Sequence, residues 1–127
     1  MKLPITGGCL CGAVRYEASE APVSVVWCHC ASCRRHTGAP AAVYADFRRA
    51  AVRFAGVEPT RFASSPGALR GFCGACGSTL SFEGESQPDL INVHLGSLDN
   101  PGDFPPSEAV HTEGRLAWFC DAPDGCD

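Results

Sequence analysis

Apolar residues occur along this chain in short runs, never in long helical stripes. Val14-Arg15-Tyr16-Glu17 alternates apolar and polar positions, the period of a half-buried strand. Val23 to Trp27, after Pro22, predicts a second strand, and Ala41 to Phe47, Val52 to Phe54 and Thr60 to Ala63 read the same way. Pro66-Gly67 marks a turn, so Arg61-Phe62-Ala63 and Leu69-Arg70-Gly71-Phe72 are expected as the arms of a hairpin. Thr79 to Glu83, Leu90 to Leu95 and Ala109 to Thr112 complete the set. One short helix is predicted from Ala31 to His36, with Ser32 as its cap and Gly38 as its end. Asp99 to Pro106 reads as a loop before the last strand, and Asp121 to Asp127 as a frayed end. Strands this short, so often separated by turns, point to a mainly β fold of packed antiparallel sheets.

Composition agrees. Fourteen glycines and ten prolines leave little room for long helices. A chain of 127 residues with 45% hydrophobic content can bury a core by itself, so residues 1–127 are expected to form a single domain. The net charge is −4, and no basic run exceeds Arg34-Arg35 or Arg48-Arg49. A basic face able to neutralise phosphates is missing, so no nucleic-acid partner is expected. No apolar stretch has the length to span a bilayer, and the first residues carry no apolar signal core. No membrane association is expected, and the cytoplasm is the expected location.

The nine cysteines change the picture. In a reducing compartment they should not form disulfides, and an odd number argues against a complete disulfide framework. They cluster instead as Cys9/Cys11, Cys28/Cys30/Cys33 and Cys73/Cys76, leaving Cys120 and Cys126 without a partner at ligand spacing. Cys73-Gly74-Ala75-Cys76-Gly77 is a half-site for a tetrahedral metal, with Gly74 and Gly77 easing the tight turn. Cys9-Leu10-Cys11-Gly12 resembles it, and a predicted strand follows each. That internal similarity pairs Cys9 and Cys11 with Cys73 and Cys76 as a closed, structural zinc site.

The third cluster supplies three sulfurs from six residues, Cys28 to Cys33. Three protein ligands and a vacant position form the pattern of catalytic zinc. The other reading is a second closed site completed by His94, His111, Cys120 or Cys126. His29 lies between two ligands and should point away from the metal, while His36 either reaches the site or sits on the helix face. Arg34 and Arg35 follow the last sulfur. They either act on the site, by lowering thiolate basicity or receiving a substrate's carboxylates, or are simply solvated. Trp27 and Trp118 each sit beside a cysteine and read as core or pocket wall.

The order C-L-C-G, then C-H-C-x-x-C-R-R-x-T-G-A, then F-C-G-x-C-G-S-T-L resembles the glutathione-dependent formaldehyde-activating enzyme family, also called the centromere protein V/GFA domain. Leu95-Gly96-Ser97-Leu98-Asp99 and His111 to Trp118 resemble its C-terminal half. The resemblance implies a zinc-bearing β-tent of short antiparallel strands, with the short helix near the second cysteine cluster. It implies two zinc ions per chain, one structural at Cys9, Cys11, Cys73 and Cys76, one catalytic at Cys28, Cys30 and Cys33. It further implies a carbon–sulfur lyase of the S-(hydroxymethyl)glutathione synthase type, with a small thiol such as glutathione as partner and formaldehyde as electrophile. The competing expectation is a non-catalytic zinc-binding β module with a chaperone-like or partner-binding role. A third is another carbon–sulfur or carbon–halogen reaction at the same zinc.

Overall fold

The computed structural model describes residues 2–120. Among the described residues ten strands form two sheets. β1 (Ile5–Gly8), β2 (Val14–Ala18) and β5 (Val52–Gly56) make a small antiparallel sheet in the order β1-β2-β5. The large sheet runs β10-β3-β4-β9-β8-β7-β6. Its strands are β3 (Ser24–Cys28), β4 (Ala42–Arg48), β6 (Thr60–Ser65), β7 (Ala68–Phe72), β8 (Thr79–Gly84), β9 (Leu90–His94) and β10 (Glu108–Val110). The mainly β fold expected from the apolar pattern is present, and β6 and β7 form the expected hairpin, with Gly67 in the left-handed region (φ 76°) at its turn.

Alternation decides which side chains go inside. In β2, Val14, Tyr16 and Ala18 are buried, and Arg15 and Glu17 face outward. They meet Val25, Ala45, Phe47, Ile91 and Val93 from the large sheet, and this interior is the main core. The opposite face of β4 carries Ala42 and Tyr44 into a second cluster with Val26, Cys28 and Cys33. Central strand β4 therefore serves the core on one face and the three-cysteine group on the other. In β8 the pairing skips Leu80, because Gly71 pairs with Ser81 and Phe72 with Thr79. The bulge lets Leu80 enter the main core while Phe82 packs on the cysteine face.

Three local expectations are corrected. β1 lies in a stretch where the apolar pattern predicts no strand, because its Gly7-Gly8 half carries no side chain to show a period. Its partner β2 holds it, and Gly7 is required there. A Cβ would fall on the Tyr16 hydroxyl and the Ser97 carbonyl oxygen. The sheets are not wholly antiparallel. β10 pairs with β3 in parallel, Glu108 with Val26 and Val110 with Cys28. The long segment 95–107 supplies the crossover that a parallel neighbour needs. The helix α1 (Ala31–Thr37) is capped by Cys30, whose Sγ accepts the Cys33 N–H at 3.2 Å, while Ser32 lies inside the first turn. Cys30 has the extended backbone that a cap needs. Gly38 ends the helix in the left-handed region (φ 71°), its N–H bonded to the Arg34 carbonyl, as expected. The frayed end expected from Asp121 lies outside the described residues.

Gly7→Ala should destabilise the protein by about 1–3 kcal/mol through overpacking. The check is a lower urea midpoint at unchanged slope. Gly102→Ala, where an added Cβ meets nothing within 4 Å, should stay within about 0.5 kcal/mol. Equal effects would show that β1 is not held against Ser97 in this way.

Candidate metal centres

The two half-sites recognised in the sequence meet in space. Cys9 ends the run that follows β1, and the chain turns so that the Gly12 N–H reaches the Cys9 carbonyl, with Gly12 at φ 81°. Cys73 follows β7, and the Gly77 N–H reaches its carbonyl, with Gly77 at φ 82°. The Leu10 N–H donates to the Ser78 hydroxyl at 2.9 Å and ties one turn to the other. The Sγ atoms of Cys9, Cys11, Cys73 and Cys76 all lie within 4.8 Å of one another. Cys9 and Cys11 are 3.6 Å apart, Cys11 and Cys73 3.8 Å. A tetrahedron with zinc–sulfur bonds of about 2.3 Å has edges of about 3.8 Å. The spacing therefore fits a zinc-sized ion without rearrangement.

Electrostatics points the same way. The Val14 N–H, which donates to the Cys9 sulfur at 3.3 Å, holds the Cys9 thiol below its ordinary value. Hydrogen bonds from the Ser78 side chain and backbone bring Cys76 down to about 5. At Cys11 the Ala13 N–H favours the thiolate, but the neighbouring sulfurs of Cys9 and Cys76 outweigh it and push the thiol up to about 11. Some sulfurs ionise only because others stay protonated. A divalent cation among them would remove that conflict.

The second group is built by one strand end and one helix start. Cys28 is the last residue of β3, Cys30 caps α1 and Cys33 lies in its first turn. The three sulfurs lie within 4.8 Å of one another, with Cys28 and Cys33 3.4 Å apart. Among the described residues no fourth ligand joins them. Cys33 accepts hydrogen bonds from the Tyr44 hydroxyl at 3.3 Å and the Arg70 guanidinium at 3.5 Å. Its thiol falls to about 4, chiefly through the bond from Cys28 and against burial, with Tyr44, Cys30 and Arg70 helping. Cys28 moves up for the reciprocal reason, then through burial. Burial, followed by the charge on Cys33, also raises the Tyr44 hydroxyl. Arg70 is itself buried, with Nε on the Ser64 hydroxyl at 3.0 Å and the guanidinium 4.8 Å from the Phe82 ring centre.

A cavity of about 350 Å³ opens over these three sulfurs, lined also by Tyr44, Arg70 and His111. A larger one, about 620 Å³, lies beside the closed group, against Cys9, Arg15 and Asp99, and none of the three sulfurs reaches it. The smaller cavity joins the three open sulfur ligands to polar groups.

Not every candidate gathers at this centre. Arg34 and Arg35 sit on α1 outside the cavity lining, and among the described residues neither forms an ion pair. His29 is buried against Phe119, 5.1 Å between ring centres, and Trp27 meets the same ring. His36 and His94 meet edge to face, 5.6 Å between ring centres. Cys120 joins neither sulfur group and is disulfide-bonded, a departure from the free thiol expected there. Trp118 is exposed, and Cys126 lies outside the described residues. Tyr44 and Arg70 are the residues touching this centre that sequence reasoning missed. The available signal was Arg70 at an inward position of a strand, a place where arginine needs an anion.

Cys76→Ser should lower the melting temperature by well over ~10 °C, because an ion held by all four sulfurs would contribute folding energy directly. Cys30→Ser, which keeps a capping atom, should cost only a few degrees, to the order of an ordinary surface change. Thermal melts with metal analysis decide, and equal losses would make both centres structural. A pH effect follows from His94, whose imidazole is held down at about 3 by burial and by the charges of His36 and Arg70. An unfolded imidazole titrates near 6.5. The unfolded chain therefore takes up a proton that the folded chain refuses. The stability tied to neutral His94 is whole above about pH 6.5 and declines as pH falls towards 3, by at most about 1.4 kcal/mol per unit. His94→Phe should flatten that decline between pH 6.5 and 4.5 in denaturant titrations. Curves parallel to the parent's would contradict it.

Known proteins resemble this chain. The family model described as glutathione-dependent formaldehyde-activating enzyme matches residues 4–114. An uncharacterized lyase of Schizosaccharomyces pombe is 33% identical over 91 residues. That match covers 70% of this chain and 66% of the relative, just under two thirds of its length. A crystal structure of a Rhodobacter sphaeroides protein superposes with a TM-score of 0.68 at 27% identity, covering 83% of this chain and 99% of that one. With the family model spanning both sulfur groups and the strands of both sheets, this chain belongs to the glutathione-dependent formaldehyde-activating enzyme family.

Proposed function

We propose that this protein is a lyase-type enzyme that joins a small thiol, glutathione or a similar one, to formaldehyde or another small electrophile, and releases it in reverse. The observation that carries the reading is the contrast between the two sulfur groups. Four sulfurs satisfy a tetrahedral ion, while three leave one position facing a cavity. Zinc held by Cys28, Cys30 and Cys33 would supply Lewis acidity that lowers a thiol's pKa from about 8.5 towards neutrality.

The remaining work falls to the chain's own side chains. Arg70 and Tyr44 keep Cys33 anionic through hydrogen bonds to its sulfur. Phe82 and Val26 give the cavity apolar wall, which limits water around the reacting carbon. Arg34 and Arg35, immediately after Cys33, offer guanidinium groups to the carboxylates of a peptide thiol that extends beyond the cavity. No helix of the described residues is long and apolar enough to cross a membrane, and the proposed partner is a small molecule.

The test uses cobalt in place of zinc, because the cobalt spectrum changes when a further sulfur enters its coordination. Glutathione at millimolar concentration should change that spectrum. S-methylglutathione, with the same carboxylates but no ionisable thiol, should leave it as it was. The same response to both, or to neither, would sink the thiol–carbonyl reading and leave the non-catalytic zinc module in its place.

A further inference from the structure

The cavity over the three sulfurs needs a group that can move a proton, and most of its polar side chains are already engaged. Tyr44 donates to Cys33, Arg70 to Cys33 and Ser64. Asp46 accepts from Ser24 at 2.8 Å and from the Asn92 amide. Glu108 and His111 also line the cavity, and neither is hydrogen-bonded to another lining side chain. Histidine is the residue type that both takes and gives up protons between pH 5 and 8.

The fold places His111 there by three separate contacts. Val110, just before it, pairs with Cys28, and the His29 N–H bonds to the Val110 carbonyl at 3.1 Å. Gly114, just after its turn, lies so close to the His29 carbonyl that no side chain would fit, and its Cβ position is 3.8 Å from the Cys30 Cα. The turn is thus pressed against the backbone of the sulfur ligands on both sides of His111. Within it His111 has φ 53° and ψ 42°, and it is the one non-glycine residue at positive φ among the described residues. Glycine adopts that conformation without cost, so what histidine adds at this position is its ring. The Glu113 carboxylate lies 3.6 Å from Nδ1. That is an electrostatic contact on Nδ1, longer than a hydrogen bond, and among the described residues Nε2 has no partner. His111 does not belong to the sulfur group as a fourth ligand.

We propose that His111 is the catalytic proton carrier of the thiol–carbonyl reaction, an inference that rests on the function proposed above. The thiol proton passes to Nε2, and the sulfur lone pair forms the new carbon–sulfur bond. The π pair of the carbonyl moves onto oxygen, and that oxygen takes the proton back from Nε2. The ring is neutral before and after, nothing is oxidised or reduced, and thiol plus aldehyde gives the thiohemiacetal.

The test is NMR exchange between free glutathione and its formaldehyde adduct, run with zinc-loaded protein. His111→Asn and His111→Gly suit the left-handed backbone, so both should fold. Each should lower the catalysed exchange by about 100-fold or more, the usual share of general acid–base catalysis. Each should keep the parent's glutathione-dependent cobalt spectrum, and added imidazole should restore part of the rate to the glycine variant. Rates within threefold of the parent, or a rate lost together with thiol binding, would overturn the role of His111 while leaving the reaction in place. A parent protein that does not accelerate exchange would overturn the reaction and this role with it.

Discussion

Thiolates crowded together repel, and this fold gathers seven cysteine sulfurs into two groups whose members lie within 4.8 Å of one another. Without a cation the conflict shows in the proton equilibria, where Cys76 goes down as Cys11 goes up and Cys33 goes down as Cys28 goes up. A divalent ion in each group would resolve it, and much of the architecture can be understood as the means of bringing the ligands together. The first group joins the turn after β1 to the turn after β7, so one ion would clip the small sheet to the large one. Ligands so far apart in sequence make such a clip most effective against unfolding.

The second group is organised differently. Its three sulfurs come from one short stretch, so an ion there closes no long loop. It is instead surrounded by groups that stabilise negative charge on one sulfur. Arg70 lies buried with its charge on Cys33 and its face on Phe82, an arrangement that is costly to desolvate and would be hard to explain as stability alone. The same strand, β4, presents Phe47 to the core and Tyr44 to the sulfurs. The rigid interior and the chemical centre are therefore two faces of one element, and the ligands inherit its precision.

The sequence made the sulfur groups legible because ligand spacing is a local property. Cys73-Gly74-Ala75-Cys76-Gly77 announces its turn, and Cys9-Leu10-Cys11-Gly12 repeats it. Most strands were legible for the same reason, since alternation in Val14 to Glu17 or Ala41 to Phe47 depends on near neighbours. β1 was not, because Gly7 and Gly8 have no side chains to alternate, and its need for glycine comes from Tyr16 and Ser97 far along the chain. The parallel β10 was hidden because pairing direction depends on a crossover path. The choice of Cys30 over Ser32 as helix cap was obscured because a sulfur stands where an oxygen is usual. Arg34 and Arg35 drew attention by adjacency to Cys33, yet Arg70, 37 positions away, is the guanidinium that touches it.

The central claim is that one chain holds two ions in centres of unlike kind. Native mass spectrometry of zinc-saturated protein tests it most directly, comparing the parent chain with Cys33→Ser. The account predicts two zinc ions on the parent and one on a still folded variant. A parent that saturates at one zinc, or a variant that loses both, would contradict it.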